Sequence, residues 1–200
     1  HYIPFDSFVN TIENYPYPFV QAGVCWQFPC VVPSDWEAQN IQRSNNPDTV
    51  RDMKFALDAT VIKKGVYPLV FHPHGWIRND QIVQLINHAH SKYGKRVKFL
   101  TFRDCLERIN KHLLKGSSLR AANGNDNGVR LLDINNDGYM DVVIGDGERQ
   151  LTRIYVPAAN TWKETSFPTR LTNSHAQFFS AGKGKVTGLW VNDDRTSGVW

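Results

Sequence analysis

The first half of the chain alternates two hydrophobic patterns. Between residues 18 and 115, apolar residues recur with helical spacing in three segments, and short apolar runs lie between those segments. The first helical pattern begins at Asn46-Pro47-Asp48, which supplies a capping side chain, a proline at the first helical position and an acid in the first turn. The patterns predict helices over residues 47–63, 79–93 and 102–114, and strands over residues 19–26, 66–71 and 97–101.

This alternation is typical of parallel strands joined by crossover helices, and so of an α/β fold. Three such units are too few to close a barrel. We therefore expect the C-terminal units of a larger (β/α) barrel, whose earlier units lie outside this sequence.

The second half has a different rhythm. After Lys115-Gly116-Ser117-Ser118 the helical period stops, and short strands are predicted over residues 129–132, 141–144, 152–156 and 161–167. Glycine, asparagine and aspartate separate these strands, as in all-β domains. The expected domains are residues 1–116, the barrel part, and residues 117–200, an all-β segment.

Composition narrows the classes of function. The chain is 41% hydrophobic and 12% aromatic, which is sufficient for a buried core. Its net charge is +4, but lysine and arginine are scattered, so we expect no nucleic-acid surface. No apolar run approaches the roughly 18 residues of a membrane span, so none is expected.

Residues 133–141 have the spacing of a calcium-binding loop. Gly138 supplies the tight turn, and a hard cation prefers six to eight oxygen ligands, about 2.3–2.6 Å away. Position 12, where an EF-hand has glutamate, is Ile144, and a strand follows instead of a helix. An Asn/Asp-rich turn without metal is the alternative. The expected ligands lie at positions 1, 3, 5, 7 and 9, as Asp133, Asn135, Asp137, the carbonyl of Tyr139, and Asp141.

The loop and its flanks resemble the FG-GAP/VCBS-type repeat of β-propellers. The matching stretch is Gly-Val-Arg-Leu-Leu-Asp-Ile-Asn-Asn-Asp-Gly-Tyr-Met-Asp-Val-Val-Ile-Gly, residues 128–145. The resemblance implies one propeller blade, in which a strand, the calcium loop and a second strand follow each other. One or two blades cannot close a propeller, so an incomplete propeller is expected.

Two tracts of the first half carry candidate catalytic groups. One is Pro-Ser-Asp-Trp-Glu at residues 33–37, and the other is Leu-Val-Phe-His-Pro-His-Gly-Trp at residues 69–76. The second tract places His72 at the end of an apolar run, which is the catalytic rim of a parallel β/α architecture. A histidine there can act as a general acid, and Asp35 is the candidate carboxylate partner. The alternative is a hydrogen-bonded structural histidine.

The two tracts resemble the late motifs of the polysaccharide deacetylases of carbohydrate esterase family 4. Residues 34–36, Ser-Asp-Trp, are similar to the end of the family's Asp-x-x-Asp-Trp motif, although Val32 stands where its first aspartate belongs. Residues 69–72, Leu-Val-Phe-His, are similar to its final Leu-x-Leu-x-His or apolar-apolar-His motif.

The resemblance implies a role for each matching residue. Asp35 tunes His72, and His72 protonates the leaving amine. Trp36 lines the substrate groove, and Leu69 helps to wall the acetyl pocket. His74 is a second substrate-binding residue and the alternative to His72 as the acid.

The family's fold is a distorted (β/α)7 barrel, and its chemistry uses a divalent metal, usually Zn²⁺, held by an aspartate and two histidines. A second aspartate is the general base for metal-bound water. Those residues lie in a Thr-Phe-Asp-Asp tract and a His-x-x-x-His tract, and neither tract occurs here. The ligands and base are therefore expected upstream in a longer parent protein. If the chain is the whole protein, it should be inactive as a deacetylase.

The resemblance predicts a hydrolase that removes acetyl groups from N-acetylated polysaccharide, in an extracellular or periplasmic location. Two alternatives stay open. One is a non-catalytic, calcium-stabilised binding module that makes protein or glycan contacts through its β half. The other is a related amidohydrolase that acts on a small amide.

Overall fold

A computed structural model describes residues 17–21, 25–72, 74–135, 137–146, 148–166, 189–191 and 197–199. The fold is mixed α/β. Two of the helices continue as π-helical turns, over Ala38–Gln42 and Ile109–Leu113. The elements are, in chain order, β1 (Phe19–Gln21), β2 (Cys25–Gln27), α1 (Asp35–Glu37), α2 (Pro47–Lys63), α3 (Asn79–Tyr93), α4 (Phe102–Arg108), β3 (Val129–Leu132), β4 (Asp141–Gly145), β5 (Gln150–Val156), β6 (Thr161–Ser166), β7 (Leu189–Val191) and β8 (Ser197–Val199).

The chain divides into two compact units. The helical unit consists of Tyr15–Pro18 and Phe28–Phe99, and the sheet unit consists of His1–Asn14, Phe19–Gln27 and Leu100–Trp200. The compact units thus separate between residues 99 and 100, whereas the sequence placed the domain boundary at 116/117. The difference concerns two stretches, Phe19–Gln27 with β1 and β2, and residues 100–116 with α4, which both belong to the sheet unit.

The helical unit is built on α2 and α3. The side chain of Asn46 caps α2 by accepting a 2.9 Å hydrogen bond from the Asp48 amide, and α2 ends at Lys64 in the left-handed conformation. The predicted helices over residues 47–63 and 79–93 are confirmed. Their facing apolar stripes form one core, made of Val50, Met53, Leu57, Ile77, Ile82, Leu85 and Ala89.

The strands predicted over residues 66–71 and 97–101 are wrong. In the described part of the chain these residues form no strand, because a strand needs a neighbour to satisfy its backbone hydrogen bonds. Pro68 also lacks an N–H to donate. Tyr67, Leu69 and Val97 instead pack on the helical core. In place of the single strand predicted over residues 19–26, the described residues form two strands, β1 and β2, which pair antiparallel.

The sheet unit contains a four-stranded antiparallel sheet, in the order β3-β4-β5-β6. The sheet is not closed into a barrel, and every pairing among the described strands is antiparallel. The predicted strands over residues 129–132, 141–144 and 152–156 are confirmed to within two residues at their ends. The strand predicted over 161–167 is β6, except for residue 167, which lies outside the described residues.

The sheet packs on the segment after α4. The buried residues of this core are Leu114, Leu119, Val129, Val142 and Ile144. Arg153 of β5 donates to the carbonyl of His112 at 3.0 Å and to that of Leu113, and its Nε contacts Glu164 at 2.9 Å. Since a guanidinium caps the last carbonyls of the π-helical turn, residues 102–114 belong to the sheet unit.

Among the described residues, no helix has the length and apolar character needed to cross a membrane.

Candidate functional site

Asp35 is the first residue of α1 and is completely buried. The preceding Ser34 caps the helix, since its Oγ accepts a 3.2 Å hydrogen bond from the Trp36 amide. Glu37 completes a capping box, accepting from the Ser34 amide at 2.7 Å and from its hydroxyl at 2.6 Å. This reciprocal cap fixes the turn on which the Asp35 carboxylate is held.

His72 is the hydrogen-bond partner of that carboxylate. Its Nδ1 lies 3.1 Å from Oδ1 and 3.2 Å from Oδ2 of Asp35, and its backbone N–H also donates to Oδ2. The His72 side chain is 45% exposed, whereas that of Asp35 is 0% exposed. Because the carboxylate accepts from Nδ1–H, the neutral ring keeps its free lone pair on Nε2.

This pair has the geometry of a general acid–base group. A buried carboxylate that accepts from Nδ1 fixes the tautomer and orientation of the ring. The half-exposed ring of His72 can exchange a proton with a ligand or with solvent. The predicted Asp35–His72 pair, 37 residues apart in sequence, is therefore brought into contact.

The other predicted residues differ in position. Trp36 follows Asp35 on α1 and is 40% exposed. Leu69 is half-buried and packs on the helical core. His74 is exposed and stacks on His72, with ring centroids 5.6 Å apart and planes 14° apart.

Trp76 is a neighbour of this pair that sequence reasoning missed. Its ring centroid lies 5.1 Å from that of His72 and 5.5 Å from that of His74. It belongs to the tract at residues 69–76, so its nearness in sequence to the two histidines was the available signal. Three aromatic rings thus form one cluster at the site.

A catalytic Zn²⁺ centre does not fit the described residues. Among them, no three histidine, cysteine, aspartate or glutamate side chains are gathered to hold a metal ion. His72 is engaged by Asp35, and His74 stacks on its ring. None of the described residues is therefore given the role of a catalytic metal ligand.

The loop at residues 133–141 connects β3 to β4 in the sheet unit. The two carboxylate oxygens of Asp133 accept from the amides of Asp137, at 3.0 Å, and Gly138, at 2.6 Å. Gly138 has a φ of +82°, which glycine adopts without strain. The Asp137 carboxylate accepts from the Tyr139 amide at 2.9 Å. The turn is thus closed by its own acidic side chains.

Asp141 begins β4 and is completely buried. It accepts from the backbone amides of Ile134 at 3.0 Å and Tyr155 at 2.8 Å. The pKa of Asp141 is raised to about 6, first by burial and also by the charges of Asp137 and Asp133, against the lowering effect of these two hydrogen bonds. The charges of Asp133 and Asp137 therefore act on the Asp141 carboxylate.

The oxygens of this loop suit a hard cation in their chemistry. Oδ1 of Asn135 is buried and has no hydrogen-bond partner, while its Nδ2 donates to Asp137 at 2.9 Å. An unpaired buried acceptor beside several carboxylates is what a bound cation would satisfy. The carboxylates are turned towards backbone amides, and the described residues contain no assembled group of three. The calcium site stays a prediction.

Comparison with protein families, curated proteins and solved structures gives no match to this chain.

Proposed function

We propose that this chain is part of a metal-dependent hydrolase that removes acetyl groups from N-acetylated polysaccharide. The observation that carries the proposal is the buried Asp35 carboxylate bound to the half-exposed ring of His72. Because this carboxylate orients a ring that a ligand can reach, the pair can deliver a proton to a leaving amine.

The proposed reaction divides the work between this chain and the rest of a longer parent protein. The Zn²⁺ or another divalent metal would supply activated water, and its ligands and the general base would lie in residues that are not among these 200. His72 protonates the amine nitrogen as the C–N bond breaks. Asp35 holds Nδ1, Trp36 lines the groove, Leu69 walls the acetyl pocket, and His74 contacts the glycan.

We also propose a specific architecture for each of the two units. The helical unit corresponds to the C-terminal part of a distorted (β/α)7 barrel. The sheet unit corresponds to a blade of an FG-GAP/VCBS-type propeller. An extracellular or periplasmic location is part of this proposal.

The test is an assay of the parent protein on N-acetylglucosamine oligosaccharides. We expect His72→Ala to lower turnover by about 10²- to 10⁴-fold, the usual contribution of a general acid. His88→Ala is the matched control, because His88 is also bound by an aspartate of the helical unit, Asp58, at 2.7 Å. That variant should keep its turnover within about twofold.

The outcomes separate the alternatives. Unchanged turnover in His72→Ala would sink the role assigned to His72, and a loss in His74→Ala alone would transfer the role to His74. Activity on a small N-acetyl amide but not on oligosaccharides would favour the amidohydrolase alternative. No hydrolysis by the parent protein would favour a non-catalytic binding module.

A second proposed function is calcium binding by the loop at residues 133–141, supported by the unpaired buried Oδ1 of Asn135. The ligands would be Asp133, Asn135, Asp137, the carbonyl of Tyr139, and Asp141. Each carboxylate that turns towards the ion must give up part of its backbone hydrogen bonding, so binding would rearrange the loop.

Isothermal titration with calcium tests this site. We expect saturable heat with the wild-type chain and none with Asp137→Ala. Asp146→Asn is the control, because Asp146 also accepts backbone hydrogen bonds in a turn of the same unit but lies outside the loop. Heat that persists unchanged in Asp137→Ala, or that is absent from the wild type, would reject the site.

A further inference from the structure

The backbone of Trp76 is fixed by a buried amide. The side chain of Gln81 is in a residue only 2% exposed, and its Oε1 accepts from the Arg78 amide at 3.0 Å. Its Nε2 donates to the carbonyls of Asn45, at 3.1 Å, and Asn46, at 3.2 Å. The Asn45 amide in turn donates to the carbonyl of Trp76 at 3.0 Å. Buried hydrogen bonds are costly to break, so this segment is held in place.

Gly75 and Ile77, the two sequence neighbours of Trp76, both constrain its position. Gly75 has a φ of +83°, which permits a sharp turn between His74 and Trp76. Ile77 is buried in the helical core, and its packing there holds the segment on that core. The indole of Trp76, half-buried, lies at 53° to the His72 ring and at 58° to the His74 ring. Trp76 is therefore preorganised beside the proposed proton donor.

We propose that Trp76 is the sugar-stacking residue of this site and binds an N-acetylhexosamine unit of the glycan. The inference rests on the proposed function. Indole combines a large apolar face with a polar N–H, and a pyranose ring offers an apolar face of C–H groups and a rim of hydroxyls. Stacking on Trp76 would bring the sugar within reach of His72, whose ring centroid is 5.1 Å from the indole.

The loop that carries Trp76 is ordered before any ligand binds. An unsupported loop would lose conformational entropy when it ordered around a ligand, which weakens binding. Here the amide of Gln81 and the burial of Ile77 have already ordered the segment. The affinity gained by stacking is therefore retained.

The test is titration of the 200-residue chain with the tetramer of N-acetylglucosamine, followed by calorimetry and by the NMR signal of the Trp76 indole N–H. We expect Trp76→Ala to weaken binding about tenfold, equivalent to about 1.4 kcal/mol. Trp76→Phe keeps a smaller aromatic face, so we expect an intermediate loss of about threefold. Phe55→Ala removes an exposed ring of α2 as the matched control and should not change the affinity.

Equal affinity of the wild type and both Trp76 variants would overturn the inference, and so would a wild-type chain that does not bind the tetramer. If Trp76→Ala does not fold, Trp76→Phe decides, because its circular dichroism can be matched to the wild type. The proposed function fails separately: a parent protein that binds through Trp76 but does not hydrolyse the glycan keeps the stacking residue and loses the enzyme.

Discussion

Among the described residues, each unit contains one aspartate with no exposed surface, and the two carboxylates have different kinds of hydrogen-bond donor. Asp35 of the helical unit binds a side chain that can itself carry a proton, the half-exposed His72. Asp141 of the sheet unit binds two backbone amides, of Ile134 and Tyr155, which cannot. A buried carboxylate is expensive unless it is paired, so each arrangement must serve a purpose.

The different donors of the two carboxylates suggest a catalytic role for Asp35 and a structural role for Asp141. Through His72, the charge of Asp35 acts on a group that solvent and ligands can reach. The charge of Asp141 acts inward, on the loop at 133–141 and on β5. Asp35 is accordingly proposed to serve catalysis, and Asp141 to fasten a loop that a cation would complete.

The largest effect on activity is expected from a substitution of Asp35. We expect Asp35→Asn to lower turnover of the parent protein by about 10²- to 10⁴-fold, because an amide, which can donate as well as accept, does not hold the Nδ1–H tautomer. The measurement is the hydrolysis rate together with the ring ¹⁵N shifts of His72, which report the tautomer.

Asp58→Asn is the control for this substitution, since it removes the other aspartate of the helical unit that binds a histidine. It should change neither the turnover nor the His72 tautomer. Full activity of Asp35→Asn would show that the buried carboxylate has no part in proton transfer.

The next effect concerns calcium and the sheet unit. If the loop binds calcium, a hundredfold excess over the dissociation constant stabilises the folded unit by about 2.7 kcal/mol. Removal of the ion by a chelator should therefore speed amide hydrogen exchange in β3–β5 and leave α2 and α3 unchanged. Equal loosening of both units, or of neither, would contradict a calcium site in this loop.

A smaller effect is expected from deleting the Asp141 side chain. Asp141→Ala leaves the buried amides of Ile134 and Tyr155 without acceptors, a loss of about 1–3 kcal/mol. Urea denaturation at pH 5 without calcium is suitable, because the carboxyl, with a pKa of about 6, is then mostly protonated in the fold and little charge burial is relieved. Glu148→Ala, at an exposed position, should have no effect. Stability equal to the wild type would remove the fastening role.

Local signals in the sequence were sufficient for the helices and the antiparallel strands. The Asn46 cap, the proline at residue 47 and the Lys64 terminus define α2 by short-range hydrogen bonds. The loop from Asp133 to Asp141 likewise fixes the register of β3 with β4, in which Leu132 pairs with Asp141. Such elements are determined within about one turn or one hairpin, so pattern reading finds them.

Nonlocal partners explain what the sequence missed. The apolar runs at 66–71 and 97–101 have the composition of strands, but a strand forms only beside another strand. The placement of α4 in the sheet unit depends on Arg153, a residue more than 40 positions from the carbonyl of His112 that it caps. In the candidate site, the Asp35–His72 pair was predicted from the resemblance. The contact between the rings of Trp76 and His72 could be seen only in the folded structure.

The smallest predicted effect tests whether an aspartate–histidine contact is by itself a sign of chemistry. Asp58 accepts from His88 Nε2 at 2.7 Å, but also from Lys92 at 2.8 Å and Tyr93 at 2.7 Å. Burial alone would raise the pKa of Asp58, but these three donors lower it to about 2. A folded pKa below the unfolded value of 3.8 contributes stability above pH 3.8 that is lost as the pH falls towards 2.

Because Asp58 is partly exposed, we expect a loss of only about 1 kcal/mol in the free energy of unfolding between pH 5 and pH 2.5. The measurement is urea denaturation of the wild type and Asp58→Asn, whose difference in the free energy of unfolding should be smaller at pH 2.5 than at pH 5. A difference of the same size at pH 5 and pH 2.5 would contradict a charge-based contribution. Asp58 shares its charge among three donors that join α2 to α3, whereas Asp35 binds His72 as its one ionisable donor in the described contacts. A dedicated, half-exposed histidine therefore distinguishes a proton-transfer pair from a helix-packing contact.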